Sequence, residues 1–286
     1  MYSDDPFQYL RERGIYTLLD LALLSEGRLK DSGIVDATKL LESKIDTRLY
    51  LKGTQILKQG ERRMKFPIGS RGLDGLLDGG VRTGMVTDFY GRSGVGKTQI
   101  CFQLCVNVAD HFNKKGLDGS IIFIDTVGTF RPERIVEIAE ARGLRGEECL
   151  DRIKVMNVRS VADQIGLRYK LVDLASRLAV KLVIIDNLTE NFLYEYRDED
   201  RLINRQSGLA KHLHDLTSIA LNYDIAIVVT NTVRERMGRI QESGGNVVAQ
   251  MIYKRVLLER SDSVWVASIY NRRAYFRIDR EGIIDL

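Results

Sequence analysis

Apolar residues recur with two different rhythms along this 286-residue chain, and the change of rhythm divides it. From Asp5 to about Gly60 the pattern is helical and short-looped, through FQYLRERG, IYTLLDLALLSEGRLK and IVDATKLLESKI to a last run through Tyr50 and Ile56. Leu18, Leu21, Ala22 and Leu24 form one stripe, and Gly14 and Gly33 stand where helices end or turn. This predicts a small helical N-terminal domain over residues 1–60. The basic stretch from Glu61 to Lys65, followed by Pro67 and Gly69, marks the boundary to a core over 61–286.

Beyond that boundary, short wholly apolar runs alternate with helical ones. Strands are predicted at Met85–Tyr90, Ser120–Asp125, Ile153–Met156, Lys181–Asp186 and Ile225–Thr230. Helices are predicted from Lys97 to about His111, from Arg131 to Ala141, over 160–178 and over 204–222. Strands that are apolar throughout and joined by helices imply an α/β fold with a mostly parallel central sheet covered on both faces. Its ligand site then lies at the carboxyl ends of the strands, where Asp125, Asp186 and Asn231 fall. After Asn246 the pattern becomes hairpin-like, with strands expected at Val247–Leu258, Val264–Tyr270 and Ala274–Ile278, extending the sheet antiparallel.

The stretch YGRSGVGKTQ fits G-x-x-x-x-G-K-[ST] and lies between the first predicted strand and the following helix. Glycines let backbone N–H groups turn inward around phosphate oxygens, and the helix N-terminus adds unpaired donors and partial positive charge. Gly91, Arg92, Ser93, Gly94, Val95, Gly96, Lys97 and Thr98 are the candidate triphosphate cradle, with ATP and Mg2+ as the expected ligands. Lys97 is the candidate catalytic cation on the β- and γ-phosphates, and the Thr98 hydroxyl the candidate metal ligand. Asp186 ends an apolar strand, where a phosphate-loop protein places the carboxylate of its magnesium shell. A turn or N-cap aspartate is the alternative; the room for strands and helices between Thr98 and Asp186 favours the metal role.

With 44% hydrophobic and 29% charged residues, the composition is that of an ordinary soluble protein. No apolar run is long enough to span a membrane, and the N-terminus MYSDDPFQYL is acidic where a secretory leader is basic and then apolar. A reducing cytoplasmic location is expected, or a nuclear one in a eukaryote. Cys101 and Cys105 lie four apart in step with Leu104 and Val108 and read as core thiols; no Cys/His cluster has zinc spacing, and His212 and His214 face different ways on their helix. The net charge of +4 falls entirely beyond residue 60, which is compatible with a polyanionic partner.

The run FIDTVGTFRPER from Phe123 to Arg134, the phosphate loop continuing into Gln99, Ile185-Asp186-Asn187-Leu188-Thr189, Arg205-Gln206 and Val228–Asn231 resemble the ATPase core of the archaeal RadA and eukaryotic strand-exchange recombinases, relatives of bacterial RecA. The likeness covers roughly residues 64 to 233, and Leu10–Ala22 resembles part of that family's small N-terminal domain. The resemblance implies a RecA-like fold, ATP held between subunits of a filament on DNA, and Arg134 near the adenine. It also implies a first DNA-facing loop from about Tyr194 to Arg205, carrying Arg197, Arg201 and Arg205, and a second from Arg234 to Asn246, carrying Arg234, Arg236 and Arg239.

Departures from the family pattern cluster. Val127 stands where the family carries the glutamate that orients the attacking water, and an alkyl group can neither accept a proton nor hold a water. Thr232 replaces a glutamine that senses the γ-phosphate. The linker plug reads Tyr50-Leu-Lys-Gly53, with an added hydroxyl and a lost methyl. The first loop sets Glu195, Asp198, Glu199 and Asp200 against its three arginines, a poor track for a phosphate backbone. Phe192, Tyr194 and Tyr196 interleave with those arginines, either to stack on bases or to pack beneath the loop. The segment that caps a neighbour's ATP is short, running from Ile269 into Asn271-Arg272-Arg273, a turn read as a solvated hairpin tip.

Together these features imply a recombinase paralogue of mediator type. It would bind ATP, act as a weak DNA-dependent ATPase, and assist homologous recombination and DNA repair through single-stranded DNA, through the strand-exchange recombinase, or by self-assembly. The alternatives are a full strand-exchange recombinase with another residue supplying the base, and a nucleotide-gated RecA-fold regulator without DNA binding.

Overall fold

Strands apolar on both faces can be stable only with cover on both sides, and the structure supplies it. The computed structural model describes residues 53–236, 239–252 and 254–286. Packing divides the chain between Arg62 and Arg63. On the N-terminal side the described part is helix α1 (Gly53–Arg62); the helical stretches expected before it, Tyr50 of the linker included, lie outside the described residues.

The core begins with β1 (Lys65–Phe66), α2 (Arg71–Leu76), β2 (Val81–Arg82), β3 (Met85–Gly91), α3 (Lys97–Lys115), β4 (Ser120–Asp125), α4 (Pro132–Ala141) and α5 (Gly146–Asp151). It continues through β5 (Ile153–Asn157), α6 (Val161–Arg177), β6 (Val180–Asp186), α7 (Glu190–Glu195), α8 (Leu202–Tyr223), β7 (Ala226–Arg236), β8 (Arg239–Glu242), α9 (Gly245–Met251), β9 (Lys254–Ser261), β10 (Val264–Ile269), β11 (Arg272–Asp279) and β12 (Gly282–Asp285). The main sheet has the order β12-β11-β10-β9-β3-β7-β6-β4-β5, with β8 paired to β7. From β5 to β9 neighbouring strands are parallel, and β9 to β12 form an antiparallel extension.

Alternation along the strands separates two cores. Phe89, Ile121, Phe123, Leu182, Ile184 and Val228 face the layer that contains Ile100, Leu104 and Ile138. Ile122, Ile124, Val183, Ile185, Ile227 and Val229 face Leu167, Leu171, Leu209 and Leu213. Cys101, Cys105 and Cys149 are buried free thiols, and burial raises the pKa of each, that of Cys149 to about 11. They are core side chains in the protonated form.

Two sequence expectations change. Val247–Leu258 is not one strand: α9 occupies its first part and β9 begins at Lys254. Val248 and Ile252, four apart, are both buried, so the helical period wins over alternation there. The segment from Arg234 to Asn246 is not a plain loop either. β7 runs on to Arg236 and folds back antiparallel into β8, pairing Arg234 with Gln241 and Arg236 with Arg239.

Phe123 ties the central sheet to the layer above it, with its ring 5.8 Å from Phe102 and 4.9 Å from Phe130 between centroids. Phe123→Ala is expected to cost about 3–5 kcal/mol, the cost of emptying a fully buried aromatic site, and urea unfolding monitored by circular dichroism measures it.

Candidate nucleotide site

The parallel register delivers the site residues together. Asp125 lies opposite Asp186 on β4 and β6, and Tyr90 and Gly91 lie opposite Asn231 and Thr232 on β3 and β7. Where the strands end, a cleft of about 710 Å3 opens, lined by Ser93, Gly94, Gly96, Lys97, Thr98, Gln99, Val127, Thr129, Asp186, Asn187, Glu190, Thr232 and Val233.

The phosphate loop leaves β3 under tight constraint. A Cβ on Gly91 would lie 2.2 Å from the Leu258 carbonyl oxygen, so only glycine lets β3 end against β9. Gly96 holds φ at +89°, and a Cβ there would lie 2.4 Å from Ile278. Trp265, the only tryptophan in the chain, also packs beside Gly96 with its indole N–H buried. Lys97 opens α3 and donates from Nζ to the carbonyls of Gly91 (2.9 Å) and Arg92 (2.8 Å). Burial lowers its pKa, opposed by the charges of Asp186 and Asp88.

The two candidate metal residues meet directly. Thr98 donates its hydroxyl to Asp186 Oδ2 at 2.6 Å. Thr129 donates to the same oxygen at 3.3 Å, and Thr230 donates to Oδ1. A hydroxyl and a carboxylate side by side, beside a lysine and a loop of backbone donors, are the hard oxygen set that suits Mg2+ carried on a triphosphate. The residues present therefore fit both ATP and its metal, and Thr98 and Asp186 are the side chains that would hold the metal.

Asp125 shapes the wall above. Burial pushes its pKa up, but N–H groups of Phe130 (3.1 Å), Gly128 (2.6 Å), Thr129 (3.2 Å) and Val127 (3.0 Å) all donate to its carboxylate, and the net shift is downward. That grip presents Val127 to the cleft with 40% of its surface exposed. Next to it, Asn187 donates its N–H to the Thr126 hydroxyl at 2.7 Å and from Nδ2 to the Thr232 hydroxyl at 2.8 Å, so Thr232 is tied to this wall.

A family model described as Rad51 matches residues 59–286. The chain belongs to the Rad51 family. Its core is the RecA-like α/β fold of that family, and membership puts the chain among recombination and repair proteins, which generally use ATP with Mg2+, bind DNA and form oligomers.

The other residues expected from the Rad51-type pattern are distributed unevenly. Arg134 does not line the cleft. It donates from Nε to Gln99 (2.8 Å), from Nη1 to Glu137 (2.5 Å) and the Arg280 carbonyl (3.0 Å), and from Nη2 to the Asp279 carbonyl, clamping α4 to the β11–β12 turn beside the phosphate-loop helix. The first loop is partly helical, with a single 3-10 turn at Glu199–Arg201 and α8 beginning at Leu202. Arg205 turns inward to the Tyr196 carbonyl at 3.2 Å, Arg197 lies over the Tyr194 ring at 4.4 Å, and Arg201 is exposed. Phe192 is fully buried, Tyr196 packs against the core and Tyr194 is exposed, so the aromatics divide between packing and solvent. Arg234, Arg236 and Arg239 stand on the β7–β8 ribbon.

Sequence reasoning missed Thr129, Thr230, Asn187 and Glu190. A threonine or asparagine one residue from a known motif carries no pattern of its own, and only the strand register shows what it touches. Among the described residues no helix is long and apolar enough to cross a membrane, and no His/Cys/Asp/Glu group could hold a metal by itself.

Thr98→Val keeps the shape of the side chain and removes the hydroxyl shared with Asp186. It is expected to reduce the Mg2+-dependent gain in nucleotide affinity at least about tenfold while leaving metal-free ADP binding nearly unchanged. Titration of Trp265 fluorescence with and without Mg2+ measures both.

Proposed function

We propose that this chain is a RadA-like recombinase paralogue: it binds ATP with Mg2+, hydrolyses it weakly, and uses the bound state to assist homologous recombination on single-stranded DNA or on the filament of the strand-exchange recombinase. The observation that carries this reading is the contrast within one cleft. The Thr98–Asp186 pair is joined at 2.6 Å under an intact phosphate loop, while Val127 takes the wall position that the family resemblance assigns to a glutamate. Binding and cleavage are thereby separated: the first has all its groups, and the second lacks one worth about 10² to 10⁴ in rate. Gly91 to Gln99 hold the triphosphate in this reading, with Lys97 as the electrostatic catalyst, and Arg134 sets the edge of the nucleotide site through Gln99.

Val127→Glu is expected to raise ATP turnover by about 10- to 100-fold with little change in nucleotide affinity, measured as phosphate release. Wild-type turnover already as fast as that of an intact recombinase would refute the weak-hydrolysis reading.

A second reading, a nucleotide-gated regulator without DNA binding, is favoured by the first loop, where Arg205 and Arg197 are engaged within the protein. Salt separates the two. A protein that neutralises several phosphates of single-stranded DNA loses affinity with a slope of about −0.7 per phosphate in log K against log salt. Anisotropy of a labelled oligonucleotide with ATP present is expected to give a slope of that kind; absence of binding at low salt selects the regulator.

A further inference from the structure

We infer that Thr230 sets which divalent cation the site accepts, by holding the Asp186 carboxylate so that a single oxygen is offered to the cleft. This rests on the reading of the cleft as a site for ATP and its metal. Asp186 receives three hydroxyl donors, and they divide by side. Thr98 (2.6 Å) and Thr129 (3.3 Å) both donate to Oδ2, and both line the cleft. Thr230 donates to Oδ1, is fully buried and does not line the cleft. Oδ2 is therefore the oxygen that meets a ligand, and Oδ1 is turned into the protein.

The backbone holds both partners in place. β6 and β7 pair in parallel up to Ile185 and Val229, one residue before Asp186 and Thr230. Beyond that pair the Thr230 carbonyl accepts the Leu188 N–H (2.9 Å), and the Asp186 carbonyl accepts the Thr126 N–H (2.9 Å). On its other side Thr230 lies opposite Phe89 of β3 in register. A hydroxyl fixed on a central strand in this way cannot follow the carboxylate when it turns. Rotating Asp186 to present both oxygens to the cleft breaks the bond to Thr230 and leaves a buried hydroxyl without an acceptor, which is costly.

Divalent cations differ in what that arrangement gives them. Mg2+ demands near-octahedral order, keeps several of its waters and needs only one oxygen from a carboxylate. Ca2+ is larger, takes about six to eight oxygens and readily uses both oxygens of one carboxylate. Thr230 withholds the second oxygen and so favours Mg2+ over Ca2+. Thr129 takes no part in this selection, because it shares Oδ2 with Thr98 and its hydroxyl bears on every cation alike. The competing explanation is that Thr230 does no more than satisfy a buried carboxylate. That accounts for a donor on Oδ1, but it predicts the same effect on every cation.

The experiment measures ADP affinity by Trp265 fluorescence with excess Mg2+, with excess Ca2+ and with chelator, in wild type, Thr230→Val, Thr230→Cys, Thr230→Ser and Thr129→Val. Thermal melting by circular dichroism checks that each variant folds. Wild type is expected to bind ADP more tightly with Mg2+ than with Ca2+. Thr230→Val is expected to move the ratio of the two affinities about tenfold toward Ca2+, the scale of losing a partner that orients a metal ligand, with metal-free affinity within about twofold of wild type. Thr230→Cys, whose thiol is a weak donor, is expected to move the ratio the same way and serves if Thr230→Val does not fold. Thr230→Ser keeps the hydroxyl and is expected to keep the wild-type ratio, as is Thr129→Val. An unchanged ratio in the valine and cysteine variants overturns the inference, as does an equal loss with both cations, a Thr230→Ser variant that behaves like Thr230→Val, or a shift of the same size in Thr129→Val. A wild type that gains equally from the two cations overturns it while leaving the ATP and metal reading intact. A wild type whose ADP affinity ignores both cations overturns the metal reading with it, and one that binds no nucleotide overturns the ATP reading as well.

Discussion

The hydrogen bond from Thr98 to Asp186 is the contact on which the candidate nucleotide site depends. It joins the first turn of α3 to the end of β6, and it forms only if β3 and β6 end at the same level of the sheet. Parallel pairing through β7 sets that level: β3 pairs with β7 and β7 with β6, each in uninterrupted register. Thr230, from β7 between them, donates to the same aspartate. One carboxylate thus reads the alignment of three strands, and a shift of one residue in any of them would turn its side chain to the opposite face.

Around that contact the protein uses backbone donors more than charge. Asp125 gathers four N–H groups and makes a fixed wall of residues 127–130. Asn187 and Thr189 fix the adjoining turn through hydrogen bonds with Thr126, Asn231 and Thr232 in which side chains take part. Every polar group in these turns that finds such a partner avoids the penalty of burial. The result is a cleft with stiff sides whose lining includes an alkyl group, Val127, together with the carboxylate of Asp186. The functional reading rests on Val127 standing in the same lining as the joined Thr98–Asp186 pair.

The general architecture was legible from periodicity because both faces of the parallel strands are covered, which leaves continuous apolar runs. Boundaries within the core were also close, as at β6 and α6, where apolar pattern and a Ser160 N-cap agree. The sequence misled where two patterns overlap. Val247, Val248 and Ile252 suit a strand by composition, yet burial of Val248 with Ile252 makes a helical turn. A run of arginines and acids between Arg234 and Glu242 reads as loop, yet its backbone closes into a ribbon with β7. Likewise Arg205 counts as a basic residue in a tally, while in the structure its guanidinium serves the Tyr196 carbonyl.

By itself the sequence determined the phosphate loop, the strand-ending Asp186, the alkyl residue at 127 and the Rad51-type core, because each is written in residues close together or at strand ends with a fixed periodicity. The tertiary structure alone decided which hydroxyls reach Asp186, that Arg134 clamps the β11–β12 turn, and that Glu190 shares the cleft with Lys97. Those relations join residues far apart in the chain through strand pairing, and pairing is a property of the whole sheet that no single segment encodes.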